Sequence, residues 1–141
     1  MKIAVVGTGY VGLVTGTCLA DSGSDVTCLD IDRKKISSLK EGEIPIYEPG
    51  LEELVERNAR VGRLRCTTET KKASAAAEIV FLSVGTPPTE SGAADLTALW
   101  SVVSSIAPHL AKDVVVVTKS TVPVGTAALI EQKLLEATGR E

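Results

Sequence analysis

A run of apolar residues, Ile3-Ala4-Val5-Val6, ends on Gly7-Thr8-Gly9-Tyr10-Val11-Gly12, and a second apolar stretch follows at once. No other feature narrows the fold of this chain as sharply. A short apolar run that stops at glycine reads as a buried strand, and the stretch after Gly12 reads as a helix. Glycines in G-x-G-x-x-G spacing between a strand and a helix have separate tasks. Gly7 permits the tight turn, Gly9 removes a side chain where a bound group must approach the backbone, and Gly12 lets the helix pack closely on the sheet. The amides near Tyr10 and Val11 open the helix, have no acceptor within it, and carry the positive end of its dipole. Such a turn holds an anion, phosphate above all. Gly16, one turn on, costs roughly 1 kcal/mol against alanine, which a close helix–sheet contact would offset.

Strands and helices alternate along the rest of the chain. Lys2–Val6 and Asp25–Leu29 read as strands, with a helix over 11–22 between them closed by Gly23. Asp32 caps a helix over 33–40. The prolines of Ile44-Pro45-Ile46-Tyr47-Glu48-Pro49-Gly50 predict an ordered loop, with Pro49 in the first turn of a helix over 51–58. A short strand at Leu64–Thr67, a helix over 69–76 and a strand over 79–84 come next. Asp95 is the expected N-cap of a helix over 96–110, ahead of a valine-rich strand over 114–118. A last helix, over 124–137, has Ala127, Ile130, Leu134 and Ala137 on one face. Strands joined through helices imply right-handed crossovers and a parallel sheet.

The expected fold is therefore α/β, a Rossmann-type doubly wound parallel sheet, with residues 1–141 forming one domain. The full fold has six strands in the order 3-2-1-4-5-6. Five strands are legible here and the last helix leads into none, so the sheet is expected to be truncated before its last strand. Composition agrees: 44% of the chain is apolar but only 3% aromatic, which calls for a core of Val, Ile, Leu and Ala between the two faces of a parallel sheet.

The second functional signal is an acid at the end of the second strand. Asp30 stands 18 residues after Gly12, where a dinucleotide-binding unit places the carboxylate that accepts hydrogen bonds from the adenosine ribose hydroxyls. Such a carboxylate repels a 2′-phosphate, so the expected cofactor is NAD in preference to NADP. Arg33 and Lys35 weigh the other way, because a cation there tolerates the extra phosphate. The net charge of −3, with no basic stripe, excludes nucleic acid as a partner.

Three cysteines, Cys18, Cys28 and Cys66, show no CxxC spacing, and no metal site is expected. Cys18 and Cys28 lie in apolar runs and read as small buried thiols. Cys66 does not read as an activated thiol. An odd cysteine count without a signal segment fits a reducing cytosol, and no run is long enough to span a membrane. His109 reads as an ordinary surface histidine and Trp100 as core or subunit packing. Glu52, Glu53 and Glu56 beside Arg57 and Arg60 read as a solvated helix face.

Three further segments, Ile46-Tyr47-Glu48-Pro49-Gly50-Leu51, Ser83-Val84-Gly85-Thr86-Pro87 and Lys119-Ser120-Thr121-Val122-Pro123-Val124-Gly125-Thr126, narrow the reading. Together with the glycine turn, in this order, the chain resembles the UDP-glucose/GDP-mannose dehydrogenase family over essentially its whole length. The Tyr-Glu-Pro-Gly-Leu and Lys-Ser-Thr-Val-Pro versions look most like the members that oxidise UDP-glucose, with GDP-mannose or N-acetylated sugars as alternatives. A free-standing NAD-binding module is the reading from a different class.

The resemblance implies an enzyme that takes the sugar C6 alcohol to a carboxylate in two NAD-dependent steps, through a thioester to a catalytic cysteine. It implies that Val11, Asp30 and Lys35 contact NAD, that Thr86 borders the nicotinamide half, and that Thr121 helps position reacting groups through water. Homodimers are expected of the whole enzymes. The family's Pro-Glu-Phe segment, sugar-binding domain and reactive cysteine match nothing in this sequence, and Glu141 lies in no family glutamate motif. The chain alone is thus expected to bind NAD without turnover.

Overall fold

The computed structural model describes residues 1–139; Glu141 lies outside them. Its five strands are β1 (Lys2–Val6), β2 (Asp25–Leu29), β3 (Leu64–Thr67), β4 (Ile79–Leu82) and β5 (Val115–Thr118). All pair in parallel in the order β3-β2-β1-β4-β5. This is the expected α/β doubly wound sheet through its fifth strand. The helices are α1 (Tyr10–Asp21), α2 (Arg33–Lys40), α3 (Leu51–Arg60), α4 (Thr70–Ser74), α5 (Thr97–Ile106) and α6 (Thr126–Thr138).

Alternation along β1 divides the core in two. Ile3 and Val5 face one side with Val26, Cys28 and Leu13, covered by α1, α2 and α3. Ala4 and Val6 face the other with Val80, Leu82, Leu99, Val103 and Ile106. Buried on both faces, β1 has apolar residues at successive positions, as a central parallel strand must.

Several boundaries differ from expectation for local reasons. The helix expected over 96–110 stops at Ile106 and tightens into a 3-10 turn, Ala107–His109, because Pro108 has no N–H to continue the ladder. Asp95 sits one residue ahead of the capping position and accepts from Thr97 N at 2.9 Å and Thr97 Oγ1 at 2.6 Å. Pro49 precedes the first turn of α3; Gly50, at φ +79°, makes the entry instead. The helix expected over 69–76 is reduced to Thr70–Ser74. On α6 the inward face is Thr126, Ile130, Leu134 and Thr138, while Ala127 and Ala137 are exposed.

Cys28 is buried as expected, but Cys18 is exposed, since α1 turns Leu13, Gly16, Thr17 and Ala20 inward instead. Trp100 packs half-buried against the core, with Lys133 Nζ 5.4 Å from its ring centroid. No helix among the described residues is long and apolar enough to cross a membrane. β5 forms an edge of the sheet. A groove of about 770 Å3 opens there between β5 and α6, lined by Val114, Val116, Ile130 and Leu134 among others.

Candidate dinucleotide-binding site

The carboxyl ends of β1, β2, β4 and β5 bring most of the expected residues to one end of the sheet. The glycine turn is held from both sides: Gly7 N donates to Leu29 O at 2.8 Å, and Ser83 N donates to Val6 O at 2.8 Å. Gly7 has φ +99°, and a Cβ on it would lie 2.7 Å from Ser83 O. A Cβ on Gly12 would stand 1.8 Å from Gly7 O, so α1 begins against the backbone of the turn itself. On Gly16 it would meet Cys28 Sγ at 2.8 Å, the close helix–sheet contact expected there.

Gly9 differs from the other two. Its backbone is extended, at φ −70° and ψ −171°, and a Cβ on it would find no protein atom within 4 Å. Neither conformation nor packing requires glycine at this position. Gly9 is exposed, beside the amides that open α1 at Tyr10 and Val11. Those two side chains are exposed. Tyr10 Oη donates to Glu48 Oε2 at 2.5 Å, fastening the 44–50 loop to the turn. That bond to an acid, and the negative charge itself, raise the Tyr10 phenol above its ordinary pKa.

Asp30, just past β2, is embedded in donors. Its Oδ2 accepts from Thr8 N at 2.9 Å, Thr8 Oγ1 at 2.8 Å and Lys35 Nζ at 3.1 Å. Its Oδ1 accepts from Asp32 N at 3.0 Å. Burial works against ionisation of this carboxyl, but the bonds from Asp32 N, both Thr8 donors and Lys35 outweigh it and hold the pKa below the ordinary value. Asp30 is thus an anion at neutral pH, fit to accept hydroxyl hydrogens. Asp32 does what was expected of it, capping α2 through the amides of Lys34 and Lys35.

At the far side of the same end, Thr86 Oγ1 donates to Thr121 O at 2.7 Å, so the loops after β4 and β5 are tied together. Ser120 Oγ adds a bond to Val84 O at 2.7 Å. Thr121 is itself exposed. The buried Ser83 Oγ, beside Gly7 and Gly12, has no partner within the protein.

The thiols lie elsewhere. Cys28 and Cys66 face each other in register on β2 and β3. Cys28 donates towards Cys66, lowering the Cys66 pKa and raising that of the buried Cys28; Lys40 also favours the Cys66 thiolate. The cation that acts on Cys66 is thus Lys40, which α2 brings from a distant part of the chain. No group of three or more His, Cys, Asp and Glu among the described residues could hold a metal ion.

Three of these features leave no local mark in the sequence. Thr8 occupies a variable position of the glycine motif, and the Tyr10–Glu48 and Thr86–Thr121 bonds join residues far apart in the chain. Only a sheet topology placing their loops side by side could have shown them.

A parallel sheet with a glycine turn opening α1 and an anionic acid ending β2 defines a dinucleotide-binding domain. The chain belongs to the UDP-glucose/GDP-mannose dehydrogenase family, matching its NAD binding domain over residues 1–141. It is 52% identical to the UDP-glucose 6-dehydrogenase TuaD of Bacillus subtilis over 136 residues, covering 96% of this chain and 30% of that protein. The UDP-glucose 6-dehydrogenase of Rhizobium meliloti is also 52% identical, with 96% and 31% covered. Among solved structures, GDP-mannose dehydrogenase from Pseudomonas aeruginosa superposes with TM-score 0.94 at 34% identity, over 100% of this chain and 33% of that one. A UDP-glucose dehydrogenase from Pyrobaculum islandicum gives 0.91 at 35% identity, over 99% and 33%. The chain spans about a third of the length of these relatives.

Proposed function

We propose that this chain is the NAD-binding part of a cytosolic, homodimeric UDP-glucose 6-dehydrogenase, which converts UDP-glucose to UDP-glucuronate in two NAD-dependent oxidations. The observation that carries the reading is the glycine turn, packed on the sheet at Gly7 and Gly12, that opens α1 beside the anionic Asp30. The amides of Tyr10 and Val11 take the pyrophosphate, between Gly7 and Gly12. Asp30 takes the adenosine ribose, with Lys35 beside it. Thr86 borders the nicotinamide half of the cofactor, and Thr121 helps orient the reacting groups. When bound, NAD supplies the hydride acceptor. UDP-glucose is favoured over GDP-mannose because the relatives at 52% identity act on the former, whereas the GDP-mannose enzyme matches at 34%.

The catalytic thiol comes from outside this chain. Cys18 lies on α1, and Cys28 and Cys66 lie within β2 and β3, none of them beside Thr86 or Thr121. The full doubly wound order sets a sixth strand beside the fifth, and here β5 is an edge strand on which Val115 is 55% exposed. Without a positioned alcohol and nucleophile, the roughly 7–11 kcal/mol that positioning contributes is missing.

Calorimetric titration of the purified chain with NAD, NADP and UDP-glucose tests this. The expected result is saturable NAD binding, weaker NADP binding, no sugar binding and no turnover. Absence of NAD binding by the folded chain would refute the cofactor assignment, and turnover of UDP-glucose would refute the external thiol.

A further inference from the structure

We propose that Thr8 is the positioning residue for the ribose-binding acid: its buried hydroxyl clamps Asp30 Oδ2, presents Oδ1 to the ligand, and so sets the preference for NAD over NADP. The proposal rests on reading the chain as an NAD-binding domain and goes beyond it, since it concerns how the acid is held in place.

The glycine motif leaves this position open, and any residue there would supply the N–H. The Thr8 hydroxyl adds a second donor of its own. Thr8 is fully buried, and its N and Oγ1 both reach Oδ2, at 2.9 Å and 2.8 Å. Its β-branch restricts χ1, so these two donors are rigid. Lys35, the third, reaches Oδ2 on a long stem with its side chain 32% exposed. An ionised carboxylate has about four lone-pair sites, two on each oxygen. Oδ2 already meets three donors, whereas Oδ1 meets Asp32 N alone. Oδ1 is therefore the oxygen with room for a ribose hydroxyl, and the clamp on Oδ2 fixes the plane in which it points.

A carboxylate fixed in this way cannot turn from a 2′-phosphate. Without the Thr8 hydroxyl it keeps the bonds from Thr8 N, Asp32 N and Lys35 but turns more readily, and Lys35 is freer to meet the phosphate. The charged groups around Asp30 are Lys35, from α2, and the Asp32 carboxylate, which is engaged by the amides of Lys34 and Lys35. The glycine turn and β3 bring Thr8 and Thr67, neither of which titrates; Asp30 N donates to Thr67 O.

Thr8→Val keeps the shape and removes the hydroxyl; Thr8→Ser restores it. NAD and NADP would be titrated calorimetrically into the parent chain, both variants and Asp30→Ala across a range of acid pH. Thr8→Val is expected to weaken NAD binding by up to about tenfold, the cost of ordering one side chain when the ligand docks. It should also narrow the NAD/NADP ratio and move the acid limb of NAD binding to higher pH. Thr8→Ser should recover most of all three. Equal losses for NAD and NADP with an unmoved acid limb would mean a merely structural role and overturn the proposal. So would parent-like behaviour of Thr8→Val alongside a defective Asp30→Ala, which leaves the NAD reading intact. If the parent chain binds neither dinucleotide, the NAD reading itself fails and the proposal with it. Should Thr8→Val not fold, Thr8→Ala is judged by the same criteria. Carboxyl NMR of the ligand-free chain gives an independent check: an Asp30 titration unchanged in the folded variant overturns the clamp.

Discussion

Gly9→Ala separates folding from binding at a single atom. The added methyl meets no protein atom within 4 Å, and the backbone at φ −70° accepts alanine without strain. Two small effects on stability then oppose each other. Alanine restricts the unfolded chain and stabilises by about 0.4–1 kcal/mol. It is also a poorer N-cap than glycine, which costs about 0.5–1 kcal/mol. The net change is expected to stay within about 1 kcal/mol, a shift of no more than about 5 °C in Tm for a domain of this size. Affinity should respond differently, because the methyl occupies the space where pyrophosphate approaches the turn. A loss of at least about 100-fold, roughly 2.7 kcal/mol, is expected. Thermal melts followed by circular dichroism, with calorimetric titration of NAD into the same samples, read both quantities. NAD affinity equal to that of the parent chain would refute the assignment of this space to the cofactor. A stability loss above about 3 kcal/mol would show that the fold itself requires Gly9.

Gly12→Ala should do the reverse, since its methyl would stand 1.8 Å from Gly7 O, an overlap that backbone atoms cannot relieve. A loss above about 4 kcal/mol is expected, a large share of the roughly 5–15 kcal/mol that ordinary domains have, and urea denaturation measures it. Asp30 has a folded pKa below its unfolded one, so its stabilisation is complete above about pH 4 and is lost as pH falls through the folded value. Asp30→Asn should accordingly be less stable than the parent at neutral pH, and urea titrations at decreasing pH should show the gap close. The Tyr10 phenol, raised by Glu48, keeps the stabilisation from that bond up to the ordinary tyrosine range and loses it as pH rises through the raised value. In a Tyr47→Phe background, ultraviolet titration should show this phenol returning towards its ordinary value in Glu48→Gln.

What could be read from sequence was whatever one residue type alone could supply. A turn at φ +99° and a helix start with no room for a methyl both demand glycine, so β1, the turn and α1 were legible together, as was the acid ending β2. Alanine gives weaker information. Its single methyl gains so little from burial that Ala127 and Ala137 could face solvent while Thr126 and Thr138 turned inward, their hydroxyls bonded to Pro123 O and Leu134 O. The outward turn of Cys18 escaped notice for the same reason, being set by which face of α1 carries Gly16 and Leu13. Thr8 and Glu48 owe their places to partners 22 and 38 residues away, which no local pattern records.

The two-sided burial of β1 has a consequence for quality control. A slip of one residue against β2 and β4 would carry the glycine turn about 3.3 Å along the sheet and send every β1 side chain to the opposite face. Gly7 would lose Leu29 O, and Asp30 would no longer lie opposite Thr8. A misregistered chain could still be compact and apolar inside, but it could not assemble a dinucleotide site. The cofactor thus proofreads strand pairing: by mass action NAD draws the population towards the one register that can bind it.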